Sequence, residues 1–130
     1  MTYAGRCQCG ACRFEFEGPA NWVGHCHCLS CRRASSSPLT TYVAAENGRW
    51  RWTGAAPKVW SSSAQAHWHR CPTCGDLMAY ASDKPKLAHE IHFLLALVED
   101  PAGLSPTVHW HWDERVDWFP VDDALKKVSG

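Results

Sequence analysis

Three short stretches decide how this chain folds: Cys7-Gln8-Cys9-Gly10-Ala11-Cys12, Cys26-His27-Cys28-Leu29-Ser30-Cys31 and Cys71-Pro72-Thr73-Cys74-Gly75. All eight cysteines lie in them. Thiols one or two residues apart bridge poorly to one another but chelate a single metal ion well. Cys71-Pro72-Thr73-Cys74-Gly75 has the form of a zinc knuckle, and Cys7-Gln8-Cys9-Gly10 is a tighter relative. On a straight strand Cys7 and Cys9 face one side, and Gly10 lets the chain curl around an ion. Together Cys7, Cys9, Cys71 and Cys74 supply a closed four-thiolate site that ties the N-terminus to mid-chain, an architectural role. Cys26, Cys28 and Cys31 supply three thiols to a second ion, which leaves a fourth position open for water or substrate. Two zinc ions per chain are therefore expected. The competing arrangement closes the second site with His25, His27 or a more distant imidazole, since the chain holds eight His. Cys12 is left over and reads as a small buried residue. Arg32 and Arg33 follow the middle cluster. Arg32 is a candidate donor to an oxyanion formed there, and either arginine can meet an anionic substrate.

Composition bounds the rest. A chain of 130 residues with formal net charge +0 suits one domain and offers no basic excess for nucleic acid. No apolar run approaches the roughly 18 residues that span a bilayer. The N-terminal Met1-Thr2-Tyr3-Ala4-Gly5-Arg6 has no apolar leader. The expected location is the cytoplasm, where reduced thiols favour metal over a disulfide framework.

Arg13 to Glu17 alternates polar and apolar and predicts a half-buried strand that Gly18-Pro19 ends. Strands are also expected at Trp22 to His25, Leu39 to Val43, Lys58 to Trp60, Ala66 to His69, Leu77 to Tyr80 and Val108 to Trp112. Ser30 to Ser35 suits one helical turn. Arg49 to Trp52, between Asn47-Gly48 and Thr53-Gly54, predicts a hairpin-like arrangement. Ile91 to Val98 fits either a buried strand or a short helix, and Asp122 to Val128 a terminal helical turn. The His67/His69 and His109/His111 pairs are expected on exposed polar faces, and Trp50, Trp52, Trp110, Trp112 and Trp118 in the core or a pocket wall. The fold class is mostly β.

The order C-x-C-G-x-C, H-C-H-C-x-x-C-R-R and C-P-x-C-G resembles the glutathione-dependent formaldehyde-activating enzyme family, which includes centromere protein V. Arg33-Ala34-Ser35, Val98-Glu99-Asp100-Pro101, Pro106 to His109 and Trp118-Phe119 extend the likeness over roughly residues 3 to 122. Ala96-Leu97-Val98-Glu99 departs from the family's Gly-x-Leu-Asp turn. The resemblance implies a β-tent fold of twisted antiparallel sheets stitched by zinc, with residues 1–130 forming one such zinc-binding domain. It implies structural zinc at Cys7, Cys9, Cys71 and Cys74 and catalytic zinc at Cys26, Cys28 and Cys31. It further implies condensation of a small-molecule thiol with an aldehyde, in the founding case glutathione with formaldehyde, formally a carbon–sulfur lyase reaction. The alternatives are a non-catalytic zinc module that binds a protein partner, and a redox or metal sensor using the middle cluster.

Overall fold

The structure is a computed structural model that describes residues 1–130. In strand β2 (Arg13–Glu17) Phe14 and Phe16 are buried while charged residues alternate with them. On one side β2 pairs antiparallel with β1 (Thr2–Arg6), on the other with β5 (Trp50–Trp52), which makes a three-stranded sheet. The N-terminal strand escaped the pattern reading because half of its buried face is glycine. A Cβ on Gly5 would meet Phe14 Cζ at 2.3 Å.

The larger sheet has eight strands: β3 (Trp22–Cys26), β4 (Thr40–Glu46), β6 (Lys58–Ser63), β7 (Ala66–Arg70), β8 (Leu77–Ser82), β9 (Glu90–Leu94), β10 (Val108–Trp110) and β11 (Lys126–Val128). Their order is β11-β10-β3-β4-β9-β8-β7-β6. One row of cross-strand partners reads Val23, Val43, Phe93, Ala79, His69 and Val59. Its central members pack on the small sheet, and Phe93 stacks on Phe14 with centroids 4.0 Å apart. The neighbouring row reads Trp22, Ala44, His92, Tyr80, Trp68 and Trp60. Because side chains alternate along strands, this second row lies on the opposite face, away from the small sheet.

Four sequence expectations change. The sheets are mixed rather than wholly antiparallel, since β10 runs parallel to both β3 and β11. Asn47-Gly48 does not close a hairpin. The turn carries the chain from the large sheet to the small one, where Trp50 and Trp52 set their edges against Phe93. The run from Ile91 divides, becoming β9 up to Leu94 and a 3-10 turn at Leu95–Leu97. Residues 122–128 form no helical turn. Lys126–Val128 pair with the free edge of β10, whose backbone groups would otherwise go unpaired.

Candidate metal centres

Two groups of thiols converge. The sulfurs of Cys7, Cys9, Cys71 and Cys74 lie within 4.8 Å of one another, as do those of Cys26, Cys28 and Cys31. The first group is built from two tight turns with Gly10 at φ 80° and Gly75 at φ 81°, a left-handed conformation that glycine adopts without strain. These turns aim backbone amides at the sulfurs. The Cys12 amide donates to Cys7 Sγ at 3.4 Å, and the Thr73 and Cys74 amides to Cys71 Sγ at 3.4 Å each. The Cys74 amide leads in pulling the Cys71 thiol down to about 6. A cross-link also joins the turns, from the Gln8 amide to Asp76 Oδ2 at 2.7 Å.

The second group straddles the start of helix α1 (Leu29–Ser35). Cys26 ends β3, Cys28 caps the helix and accepts the Cys31 amide at 3.3 Å, and Cys31 lies one turn in. The Cys26 and Cys31 sulfurs are 3.2 Å apart. Hydrogen bonds from the Cys26 and Cys31 thiols hold Cys28 down at about 2, while the same neighbours and burial push Cys31 up. The Tyr42 hydroxyl, unforeseen from sequence, donates to Cys31 Sγ at 3.3 Å. No imidazole nitrogen joins the group. His25 Nδ1 bonds Thr41 Oγ1 at 2.8 Å, and His27 Nε2 bonds His109 Nδ1 at 2.8 Å. Three or four soft donors converging with amide donors around them match zinc in both groups.

A cavity of about 1110 Å³ opens on the three-thiol group. Trp22, Tyr42, Trp68, Tyr80, His92 and Trp110 form its aromatic wall. Arg33, Lys84 and Lys86 also line it and belong to none of the chain's ion pairs. Arg32 does not line it. Its guanidinium donates instead to the carbonyls of His27 at 3.3 Å and Glu114 at 3.2 Å. Only every third or fourth residue of a helix shares a face, so the adjacent Arg33 turns to the cavity.

The histidines depart from the expected polar faces. His109 is 1% exposed, held between His27 and Asp123, whose Oδ2 lies 2.9 Å from Nε2. His111 leaves the strand with φ 54° and lines the cavity, so the two do not share a face. His69 stacks on Trp52. His67 does face outward, between Ser61 and Asp83. Trp118, expected in the core or a pocket wall, is 71% exposed.

Sequence reasoning also missed Glu90 and His92, both buried on the cavity side. Their polar–apolar alternation with Ile91 and Phe93 was the available signal. No helix of the chain is long and apolar enough to cross a membrane.

A family model described as glutathione-dependent formaldehyde-activating enzyme matches residues 2–114. A crystal structure of a Rhodobacter sphaeroides protein, solved as a structural genomics target, superposes with a TM-score of 0.63 at 23% identity. The match covers 82% of this chain and 98% of that one, and shows a shared fold. No curated protein sequence matches the chain.

Proposed function

The chain belongs to the glutathione-dependent formaldehyde-activating enzyme family, and from that premise we propose that it is a zinc-dependent carbon–sulfur lyase joining a small-molecule thiol to an aldehyde, an S-(hydroxymethyl)glutathione synthase-like activity. The observation that carries this reading is the three-thiol group, with no fourth protein ligand, opening on a large cavity. Cys26, Cys28 and Cys31 would hold the catalytic zinc, and Cys7, Cys9, Cys71 and Cys74 a structural one. Zinc at the open site supplies a free coordination position and positive charge that favours thiolate over thiol at neutral pH.

The reaction is an addition. The thiol sulfur bonds to the carbonyl carbon, the C=O π pair moves to oxygen, and the thiol proton ends on that oxygen. The chain's residues bind and orient. Arg33, Lys84 and Lys86 are free to meet the carboxylates of a peptide-like thiol such as glutathione. The aromatic wall covers the apolar part of the adduct and excludes water. We assign Arg32 a positioning role, since its bonds to the His27 and Glu114 carbonyls hold the segment that carries Cys26 and Cys28. The cytoplasm suits this chemistry, because the thiols must stay reduced.

The test is zinc content by metal analysis on wild type, Cys28→Ser and Arg32→Ala, with thiol–formaldehyde adduct formation followed by NMR on the same samples. Two zincs in wild type, one in Cys28→Ser and a rate lost with the second ion are expected. Arg32→Ala should lose rate and zinc together. Two zincs in wild type without acceleration over the solution reaction would replace the enzyme by a non-catalytic zinc module.

A further inference from the structure

An acid–base pair stands in the cavity wall, and the chemistry above leaves it without a task. Glu90 and His92 lie two residues apart on β9, are 4% and 5% exposed, and both face the cavity. His92 Nε2 is 2.6 Å from Glu90 Oε2. Three further groups converge on the same carboxylate: Trp22 Nε1 at 2.8 Å, Asn21 Nδ2 at 3.1 Å and His89 Nε2 at 3.1 Å. Burial alone would raise the Glu90 carboxyl, but the hydrogen bonds from His92 and Asn21 outweigh it and hold the group below its ordinary value. Glu90 is thus ionised, and its Oε2 accepts from His92 Nε2–H. That bond fixes the tautomer and leaves Nδ1 as the basic atom of the ring.

The ring is also fixed in place. Trp22 meets it edge-on at 4.8 Å, and Tyr42 and Tyr80 flank it at 5.7 Å each. Glu46 of β4 is the only other carboxylate at this cluster, bonded to Asn21 and 3.8 Å from His89. Tyr42 connects the two halves of the wall, with its ring against His92 and its hydroxyl on Cys31 Sγ. The imidazole therefore stands one residue away from the thiol group. A buried carboxylate–imidazole pair adds little stability over an apolar replacement of the same shape, whereas a substrate thiol that ionises in this cavity has to hand its proton to some group.

We propose that His92 is the proton carrier of the thiol–aldehyde addition and that Glu90 is its positioning residue. This rests on the reading under Proposed function. His92 Nδ1 takes the proton of the substrate S–H. The sulfur electron pair forms the C–S bond, the C=O π pair moves onto oxygen, and the imidazolium returns the proton to that oxygen. The ring ends as it began and nothing is oxidised or reduced. In reverse, the same atoms run the lyase direction.

The experiment uses the zinc-loaded protein. His92→Ala is expected to lower kcat roughly 100-fold or more at unchanged zinc content, and added imidazole to restore part of the rate. His92→Gln should behave alike without rescue. In long-range 1H–15N spectra, wild type should show the Nε2–H tautomer, with an Nδ1 resonance that moves when glutathione is added. Glu90→Gln should turn that signal into a tautomer mixture and lower kcat about tenfold. A fully metallated His92→Ala within about threefold of the wild-type rate, or one that imidazole does not rescue, overturns the proposal. So does an Nδ1–H tautomer in wild type, a reading that needs no variant to fold. If wild type itself shows no acceleration, the thiol–aldehyde reading fails. The pair is then judged by the Nδ1 signal alone, and an Nδ1 resonance unmoved by glutathione overturns its part.

Discussion

Cys12 stands three residues after Cys9, a spacing that in another chain supplies a ligand. Here its thiol points into the apolar core and is fully buried. Burial first, then the nearby Cys71, pushes it up to about 12, so it stays protonated and inert. Its contribution to the four-thiol group is the backbone amide on Cys7 Sγ, which any residue but proline can supply. Cys12→Ala should therefore keep the full metal content and cost about 1–2 kcal/mol of packing. Urea denaturation beside metal analysis checks both, and loss of an ion from the variant would make Cys12 a ligand. The contrast with Cys7, Cys9, Cys71 and Cys74 shows what a sequence displays at this scale. Chelation by neighbouring residues is a local geometry, so spacing reveals it. A long-range pairing such as His109 with Asp123 and His27, or Glu90 with Trp22, depends on which strands become neighbours. His109 therefore read as surface, and Glu90 and His92 went unread, until those neighbours were known.

At the level of elements, β3 is the hinge between the core and the site. Val23 faces the small sheet, while Trp22 and Cys26 face the cavity. Gly24 shares the cavity side and has to lack a side chain. A Cβ there would lie 2.7 Å from Val108 Cγ1 and 3.1 Å from Trp110 Nε1, both on β10. Gly24→Ala should push β10 away from β3, move Trp110 in the cavity wall and cost about 1–3 kcal/mol through overpacking. The measurement is a urea midpoint together with the near-UV circular dichroism of the tryptophans. Unchanged values in both would mean that β10 is not held as tightly as described. Alternation made β2 readable in the sequence, because one buried face imposes a period of two. Sheet membership was not readable. Nothing in Arg49 to Trp52 says that its partner is β2, and nothing in Lys126–Val128 says that an open parallel edge awaits it.

Across the whole molecule, the four-thiol group spans the two sheets. Cys7 and Cys9 lie in the turn after β1 of the small sheet, and Cys71 and Cys74 in the turn between β7 and β8 of the large one. The core between the sheets is 15 buried residues, and domains of this size keep a net stability of only about 5–15 kcal/mol. Structural zinc in small motifs is worth an apparent 10–16 kcal/mol or so near neutral pH. Without an ion, four thiols within 4.8 Å cannot all ionise. The turns then keep their hydrogen bonds, among them the Gln8–Asp76 link that joins one turn to the other. On the two-zinc reading, a strong chelator should act in two stages. The open three-thiol site gives up its ion first, with a fall of a few degrees in Tm that Cys28→Ser reproduces. Loss of the second ion should bring cooperative unfolding of both sheets, and Cys74→Ser should reach that state without chelator. Calorimetry with parallel metal analysis follows both stages. A chain stripped of all metal that still melted at the wild-type temperature would show that the aromatic core alone holds the sheets together, and that the four thiols are dispensable to the fold.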